Sequence, residues 1–343
     1  MPTQYEMLTS NDVITTRTVL HESIPLTGTI VSGTYSDNNI KNYTHGQFQS
    51  VYDYPYLSSS SNHIFDLTMG YPSTSPLSGA SSTQNAKKIN MYNQMAQVLL
   101  GYDSGSQGLI EKFEADLSLD NSGIMNEVFF MNFSRLLTKD QIKKGTFSLS
   151  LGQSAWSTNP FTLTKVLTDK NASDTGGTAT SIGGDYGVLF DASNVAHGLV
   201  FYQAGIAVIS GSAWSGSLAN FYVHPKYGNQ TVQQAFTGSA ISASCFALRH
   251  RIQNISFNNS TEINSTIYFC RVPANKFNYS TNPTYISNGA CVVKNTASDQ
   301  PVSYITTVGL YSANNELLAV AKLSEPLKKD PSNELTLRVR LDY

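Results

Sequence analysis

Apolar and polar residues alternate with a period of two over much of the chain after residue 146. The segments 146–151 and 161–167 alternate strictly, which predicts half-buried β-strands. Further short apolar stretches, separated by polar turns, continue the series at 186–190, 198–209, 251–257, 263–271 and 301–311. The turn Asn314–Asn315 lies between the apolar segments 307–311 and 317–323, which predicts a β-hairpin. Many short strands joined by polar turns are typical of a β-sandwich or of barrel-like sheets. The sequence therefore predicts a mainly β fold.

The last residues of the chain form an amphipathic strand. Its apolar face carries Leu335, Leu337, Val339, Leu341 and Tyr343, and its other face is polar. A terminal strand needs pairing or burial to be ordered. It could complete the sheet of this chain, which we favour, or add to the sheet of a partner. These five residues are the candidate interface residues.

Two segments carry helical signals. Apolar residues at i, i+3 and i+4 spacing predict a clear helix over about 84–101, ending near Gly101. Thr138 and Gln141 resemble a capping box, which predicts a second, short helix over about 138–145. Between them, the continuous apolar run 127–133 predicts a strand that is covered on both faces.

The distribution of residue types divides the chain into two regions. Residues 1–83 are rich in Ser, Thr, Tyr and Pro, and we interpret them as an N-terminal extended arm or loop-rich region. The alternative is a loop-rich part of a single domain. Residues 84–343 are predicted to form a β-rich body with a helical insertion. The polar segment near 170–184 marks a possible subdivision of that body.

Composition narrows the class of protein. Only 13% of the 343 residues are charged and the net charge is −2, whereas about 25% is usual. The chain has no excess of positive charge with which to bind nucleic acid nonspecifically. Its content of 11% aromatic residues argues against disorder. No apolar run is long enough to span a bilayer, and the first residues do not resemble a secretory signal. We therefore expect the chain to fold where it is made, with no nucleic-acid partner and no membrane insertion.

No motif for catalysis, cofactor binding or metal binding is present. The six histidines are scattered and the three cysteines lack metal-ligand spacing, so we expect no enzyme activity, no cofactor and no metal. The remaining candidates are surface contacts. They are Trp214, whose indole can stack on a ligand, and Arg249 and Arg251 of the only dense basic cluster.

Three groups of segments carry a resemblance to a known class of protein. They are 23–30 with 39–53, then 186–190 with 198–208, and finally 277–285 with 303–311 and the closing strands to Tyr343. These segments resemble a virion structural protein of contractile-tailed phages, especially those that infect marine cyanobacteria. The resemblance implies a multi-copy or homo-oligomeric virion component that is assembled in the host cytoplasm and whose partners are other virion proteins. It favours the tail or baseplate, with the neck or capsid exterior as the alternative location.

Two other functions stay open at this point. A host-surface or glycan-binding module would use Trp214 and the 170–184 loop as contacts. A hydrolase acting on cell-surface polysaccharide would need a pair of carboxylates at catalytic separation, and the sequence offers no privileged pair. The sequence and its resemblance therefore predict a non-enzymatic assembly protein, with glycan binding as the alternative.

Overall fold

The computed structural model describes residues 5–27, 39–79, 83–103, 108–116, 122–154, 161–173, 179–214, 222–224, 228–237, 240–280, 285–288, 290–291, 298 and 300–343. About 46% of the chain is in strands and 17% is helical. The mainly β fold expected from the sequence is therefore confirmed, and it is consistent with a sandwich or barrel-like arrangement.

The elements are numbered along the chain. The first ten strands are β1 (Val13–Thr27), β2 (Ile40–Asn42), β3 (Gln49–Tyr52), β4 (His63–Gly70), β5 (Val128–Phe133), β6 (Gln141–Ile142), β7 (Ser148–Gly152), β8 (Thr164–Thr168), β9 (Ala179–Ser181) and β10 (Gly184–Phe190). The second ten are β11 (Ala196–Phe201), β12 (Ile206–Ser210), β13 (Tyr222–His224), β14 (Gly228–Gln230), β15 (Ile252–Val272), β16 (Ile286–Ser287), β17 (Ala290–Cys291), β18 (Ser303–Tyr311), β19 (Leu317–Lys329) and β20 (Leu335–Asp342). The helices are α1 (Thr83–Leu99), α2 (Arg135–Thr138), α3 (Val232–Thr237) and α4 (Ile241–Arg249).

The chain divides into two compact units. Unit 1 comprises Met1–Val19 and Glu262–Tyr343, and unit 2 comprises Leu20–Thr261. This division differs from the predicted one at residues 83 and 84, because β3 and β4 lie inside the sheet of unit 2 and bury Val51 and Phe65. The predicted subdivision near 170–184 falls within unit 2, where β9 pairs with β10.

Unit 2 is built on one large sheet. Its strands follow the order β15–β7–β8–β10–β11–β12–β5–β4–β3–β2. Side chains on both faces of β5 are buried. On one face, the ring centroids of Phe129 and Phe236 of α3 lie 4.7 Å apart, and on the other, those of Phe130 and Tyr92 of α1 lie 6.4 Å apart. Helices therefore cover both faces of the sheet, as the apolar run at 127–133 predicts.

The helix predicted over about 84–101 is confirmed as α1. Gly101, just after it, has φ +90° and donates its N–H to the carbonyl of Ala96 at 3.0 Å, which closes the helix end. Against α1 lies Gly70 of β4, where a Cβ would come within 2.5 Å of the Lys88 carbonyl oxygen. Glycine at this position thus allows the helix to approach the sheet closely.

The second helix is misplaced in the sequence prediction. The segment 138–145 is not helical: α2 ends at Thr138 and Gln141–Ile142 form β6. Backbone N–H groups that a helix would have used are taken by neighbouring strands. Ile142 donates to the carbonyl of Tyr202 at 3.0 Å, and Lys143 donates to that of Asn258 at 2.7 Å. Tertiary pairing has overridden the local capping signal.

The described residues of unit 1 contain three pairs of longer strands, one of which joins β1 to β15. Strand β20 pairs antiparallel with the second half of β15, from Ser265 opposite Asp342 to Val272 opposite Leu335. Strands β18 and β19 form a separate two-stranded sheet, and Asn315 in their turn has φ 62°. The sequence predicts this hairpin from its Asn314–Asn315 turn, and the prediction is confirmed.

Candidate functional site

The three residues predicted as surface contacts are buried. Trp214 is 1% exposed and packs edge-on against Phe129, and its Nε1–H donates to the carbonyl of Gly152 at 3.3 Å. Because its ring faces the core of unit 2, it cannot stack on a sugar at the surface. The sequence prediction for Trp214 is therefore corrected.

The basic cluster is also part of the interior of unit 2. Arg251 is 1% exposed, and its Nη1 donates to the carbonyl of Ser154 at 2.5 Å. Arg249 is 3% exposed, and its guanidinium lies 4.7 Å from the ring centroid of Phe246. Both side chains serve packing in unit 2 rather than contact with an external anion, so their assignment as surface residues was wrong.

A polar cluster joins β8, β10 and β11. His197 Nε2 lies 3.1 Å from Asp191 Oδ2 and 3.3 Å from Lys165 Nζ. Burial, followed by the charge of Lys165, lowers the pKa of His197 despite the opposing effect of Asp191. Asp191 Oδ1 also accepts the backbone N–H groups of Ser193 at 2.8 Å and Val195 at 3.0 Å. Within the described residues, no hydroxyl or thiol is hydrogen-bonded to this imidazole, so the geometry favours a role in closing the β10–β11 turn.

A buried carboxylate fixes the start of β7. Asp169 accepts the Tyr202 hydroxyl at 2.9 Å and the backbone N–H groups of Gly145 at 2.8 Å and Phe147 at 2.9 Å. Burial raises the pKa of Asp169, and these donors act in the opposite direction. Three hydrogen bonds satisfy most of the acceptor capacity of this carboxylate. It is placed to hold backbone rather than to bind a substrate.

The described part of the chain contains neither a cluster of metal ligands nor a helix suited to crossing a bilayer. No group of three or more His, Cys, Asp or Glu side chains within it is arranged to hold a metal ion. None of its helices combines the length and the apolar character that crossing a bilayer requires.

The surface that stands out is the hairpin of β18 and β19. Among its residues, Tyr304 is 52% exposed, Leu318 is 69% exposed and Val320 is 51% exposed. The exposed ring of Tyr311 and the side chain of Leu317 lie over Gly309, where a Cβ would come within 2.9 Å of the tyrosine ring. In both strands, only Ser303 and Lys329 at the open end are buried.

The predicted interface residues of β20 lie on a strand that pairs within the same chain. Val339 is buried opposite Tyr268, and Leu335, Leu337 and Leu341 are half-buried. Tyr343 is exposed, with its hydroxyl 3.1 Å from the Thr266 hydroxyl. The alternative that we favoured, completion of this chain's own sheet, agrees with this pairing.

Sequence reasoning identified the hairpin but not its significance as a surface. The sequence does contain a signal for an unprotected strand edge, since the segment 303–311 contains no charged residue and no proline. A strand of this composition is ordinarily interpreted as a core strand. Only the structure shows that its faces are largely uncovered by the described residues.

No protein-family model, curated protein or solved structure matches this chain.

Proposed function

We propose that this chain is a non-enzymatic structural protein of a phage virion, acting through protein–protein interfaces in the tail or baseplate. The observation that carries the proposal is the concentration of exposed apolar side chains in unit 1. They are Tyr5, Met7, Leu8, Ile14, Val19, Tyr279, Tyr304, Tyr311, Leu317, Leu318, Val320, Leu327 and Tyr343.

The interior of unit 1 is correspondingly small. Among its described residues, the buried apolar side chains are Val272, Tyr285 and Val339, each 8% exposed. Unit 2 buries most of its strand residues on both faces. Because apolar burial is the main driving force of folding, unit 1 needs additional burial, and a neighbouring subunit is a source of it.

The charge content supports the same proposal. A protein with 13% charged residues and a net charge of −2 has little electrostatic repulsion between copies or partners. Interface cores are depleted of charged residues and enriched in tyrosine. Five of the exposed apolar residues of unit 1 are tyrosines, namely Tyr5, Tyr279, Tyr304, Tyr311 and Tyr343.

The assignment to a virion rests on the resemblance of the segments named in the sequence analysis, and the tail or baseplate is the favoured location. The neck or capsid exterior is the alternative location. A host-surface or glycan-binding module is the alternative function, and its main candidate residue, Trp214, is buried.

The test is to examine intact particles of a contractile-tailed phage that encodes this chain. Mass spectrometry of purified particles should detect the chain, and an electron cryomicroscopy map should show density for the sheet of unit 2. Neighbouring subunits should cover the apolar residues of unit 1. Density at the neck or capsid would correct the location only, whereas absence of the chain from particles would refute the proposal.

A further inference from the structure

We infer that the free edge of β18 pairs with β18 of a second copy of this chain, so that two hairpins form one four-stranded sheet. This inference rests on the proposed assembly role and names the partner in it. Its starting point is the strand order, in which β18 pairs only with β19 among the described residues. A two-stranded hairpin is marginally stable in water, and three or more strands with an apolar face are needed for independent stability.

The edge of β18 lacks the usual protection against pairing. Proteins blunt exposed strand edges with charged side chains, proline or bulges. The nine residues of β18 include no charged residue and no proline. Their β-branched and aromatic side chains, among them Tyr304, Ile305, Thr307 and Val308, favour extended structure.

The edge of β19, in contrast, is protected. It carries Lys322, Glu325, Pro326 and Lys328. Its pairing with β18 is also irregular, since Ile305 lies opposite Leu327 while Thr307 lies opposite Lys322. Proline lacks the N–H that a ladder requires, and the irregular segment interrupts the edge. Of the two edges, only that of β18 is suited to accept another strand.

A second copy fits this edge for reasons of charge and symmetry. In a two-fold symmetric pair, the same patch meets itself, so each charged residue near the axis would face its own copy. Because β18 is uncharged, it pairs with itself without like-charge repulsion at any register. At about 3.4 Å per residue, the strand offers an edge of about 30 Å.

The hairpin also offers exposed apolar area to a second copy. Tyr304 and Tyr311 are about half exposed, so their rings supply on the order of 200 Å² per copy toward the roughly 800 Å² per partner of a standard interface. The backbone edge adds to this area. Exposed Leu317 lies opposite Tyr311 and exposed Val320 lies opposite Gly309, and both extend the apolar surface on β19.

The test uses Thr306, which is exposed and lies between the paired residues Ile305 and Thr307. Its replacement therefore leaves the ladder of the hairpin intact. Sedimentation of the full chain should show self-association. Thr306 adjoins Thr307, the central residue of β18, so a two-fold axis through the middle of the strand brings the two residues 306 to about 7–8 Å from each other. Thr306→Lys should therefore weaken self-association at least ten-fold through repulsion between the two lysines. The matched control is Thr164→Lys, an exposed threonine on β8 of unit 2, which should associate like the wild type.

A mixing experiment identifies the partner strand. Thr306→Glu should also weaken self-association, and an equimolar mixture of Thr306→Lys and Thr306→Glu should restore it, because opposite charges then face each other. Unchanged circular dichroism and thermal unfolding would show that each variant is folded. Failure of the mixture to associate would overturn the pairing of β18 with its own copy.

The remaining outcomes separate this inference from the proposed function. If the wild type associates and Thr306→Lys associates equally well, the β18 pairing is wrong while the assembly role stands. If the wild type is monomeric but the chain is found in purified particles, the partner is a different protein and the inference is overturned. A monomeric chain that is also absent from particles would refute both.

Discussion

Lys88 is a buried ionisable residue whose contacts explain its presence in unit 2. Its side chain is fully buried, and Nζ donates to the backbone carbonyl groups of Phe236 and Thr237. The ammonium group thereby connects α1 to the C-terminal end of α3, where carbonyl groups lack helical partners. Burial lowers the pKa of Lys88 from 10.5 to about 8.

The lowered pKa of Lys88 predicts a pH dependence of stability. Between about pH 8 and 10.5 the unfolded chain binds this proton and the folded chain does not, so the free energy of unfolding rises with pH. Relative to Lys88→Met, the wild type should gain on the order of 2 kcal/mol between about pH 7 and pH 10. Urea unfolding across this range measures the difference.

Lys87 provides the matched control for this experiment. It precedes Lys88 on α1, but its Nζ donates to the carbonyl of His45 at 3.0 Å near the surface. Lys87→Met should therefore follow the wild-type pH profile. A Lys88→Met variant that also follows it would contradict the role given to the buried ammonium group.

The residues that sequence reasoning placed wrongly share one cause. The segment Arg249-His250-Arg251 is a dense basic cluster in the sequence, yet both arginines are buried in the fold. Arg251 reaches the carbonyl of Ser154, almost a hundred residues away. A local pattern contains no information about such partners. Trp214 is buried for the same reason, through contacts with Gly152 and Phe129.

At the scale of elements, β20 is the strand on which the small core of unit 1 depends. Val339 is its buried residue, opposite Tyr268 of β15. Val339→Asp places a carboxylate in this interior without a partner, and we expect a loss of at least about 2 kcal/mol. Hydrogen exchange of the amides at 265–272 should become faster. Arg338→Ser, on the exposed face of the same strand, is the control and should leave their exchange unchanged.

The elements that the sequence predicts correctly are those whose pattern of apolar residues is compatible with only one kind of burial. The apolar spacing of α1 and the continuous apolar run of β5 each correspond to burial against a sheet or between two layers. The hairpin of β18 and β19 follows from Asn314 and Asn315, because Asn tolerates a positive φ. The segment 138–145 fails because its helical signal is short, and pairing of β6 with β15 outweighs it.

At the scale of the whole molecule, the two units differ in how much apolar surface they bury. Unit 2 has an interior on both faces of its sheet, whereas unit 1 exposes many of its large apolar side chains. Their stabilities should therefore respond differently to association, since binding stabilises only the part that forms the interface.

This difference predicts a concentration dependence confined to unit 1. Raising the protein concentration should slow hydrogen exchange in β18 and β19, because association adds burial to a unit that has little of its own. Amides of β5 and β12 in unit 2 should exchange at the same slow rate throughout. Protection in β18 that is independent of concentration would show that unit 1 is stable without a partner.

The position of β18 along the chain sets the timing of assembly during synthesis. All of unit 2 lies between Leu20 and Thr261, so it is synthesised before Ser303–Tyr311. Domains generally fold as units during synthesis, and unit 2 has every strand of its own core available by then. The uncharged edge of β18 is therefore made after the residues of that core. Pairing of two such edges follows the synthesis of unit 2 and does not compete with its folding.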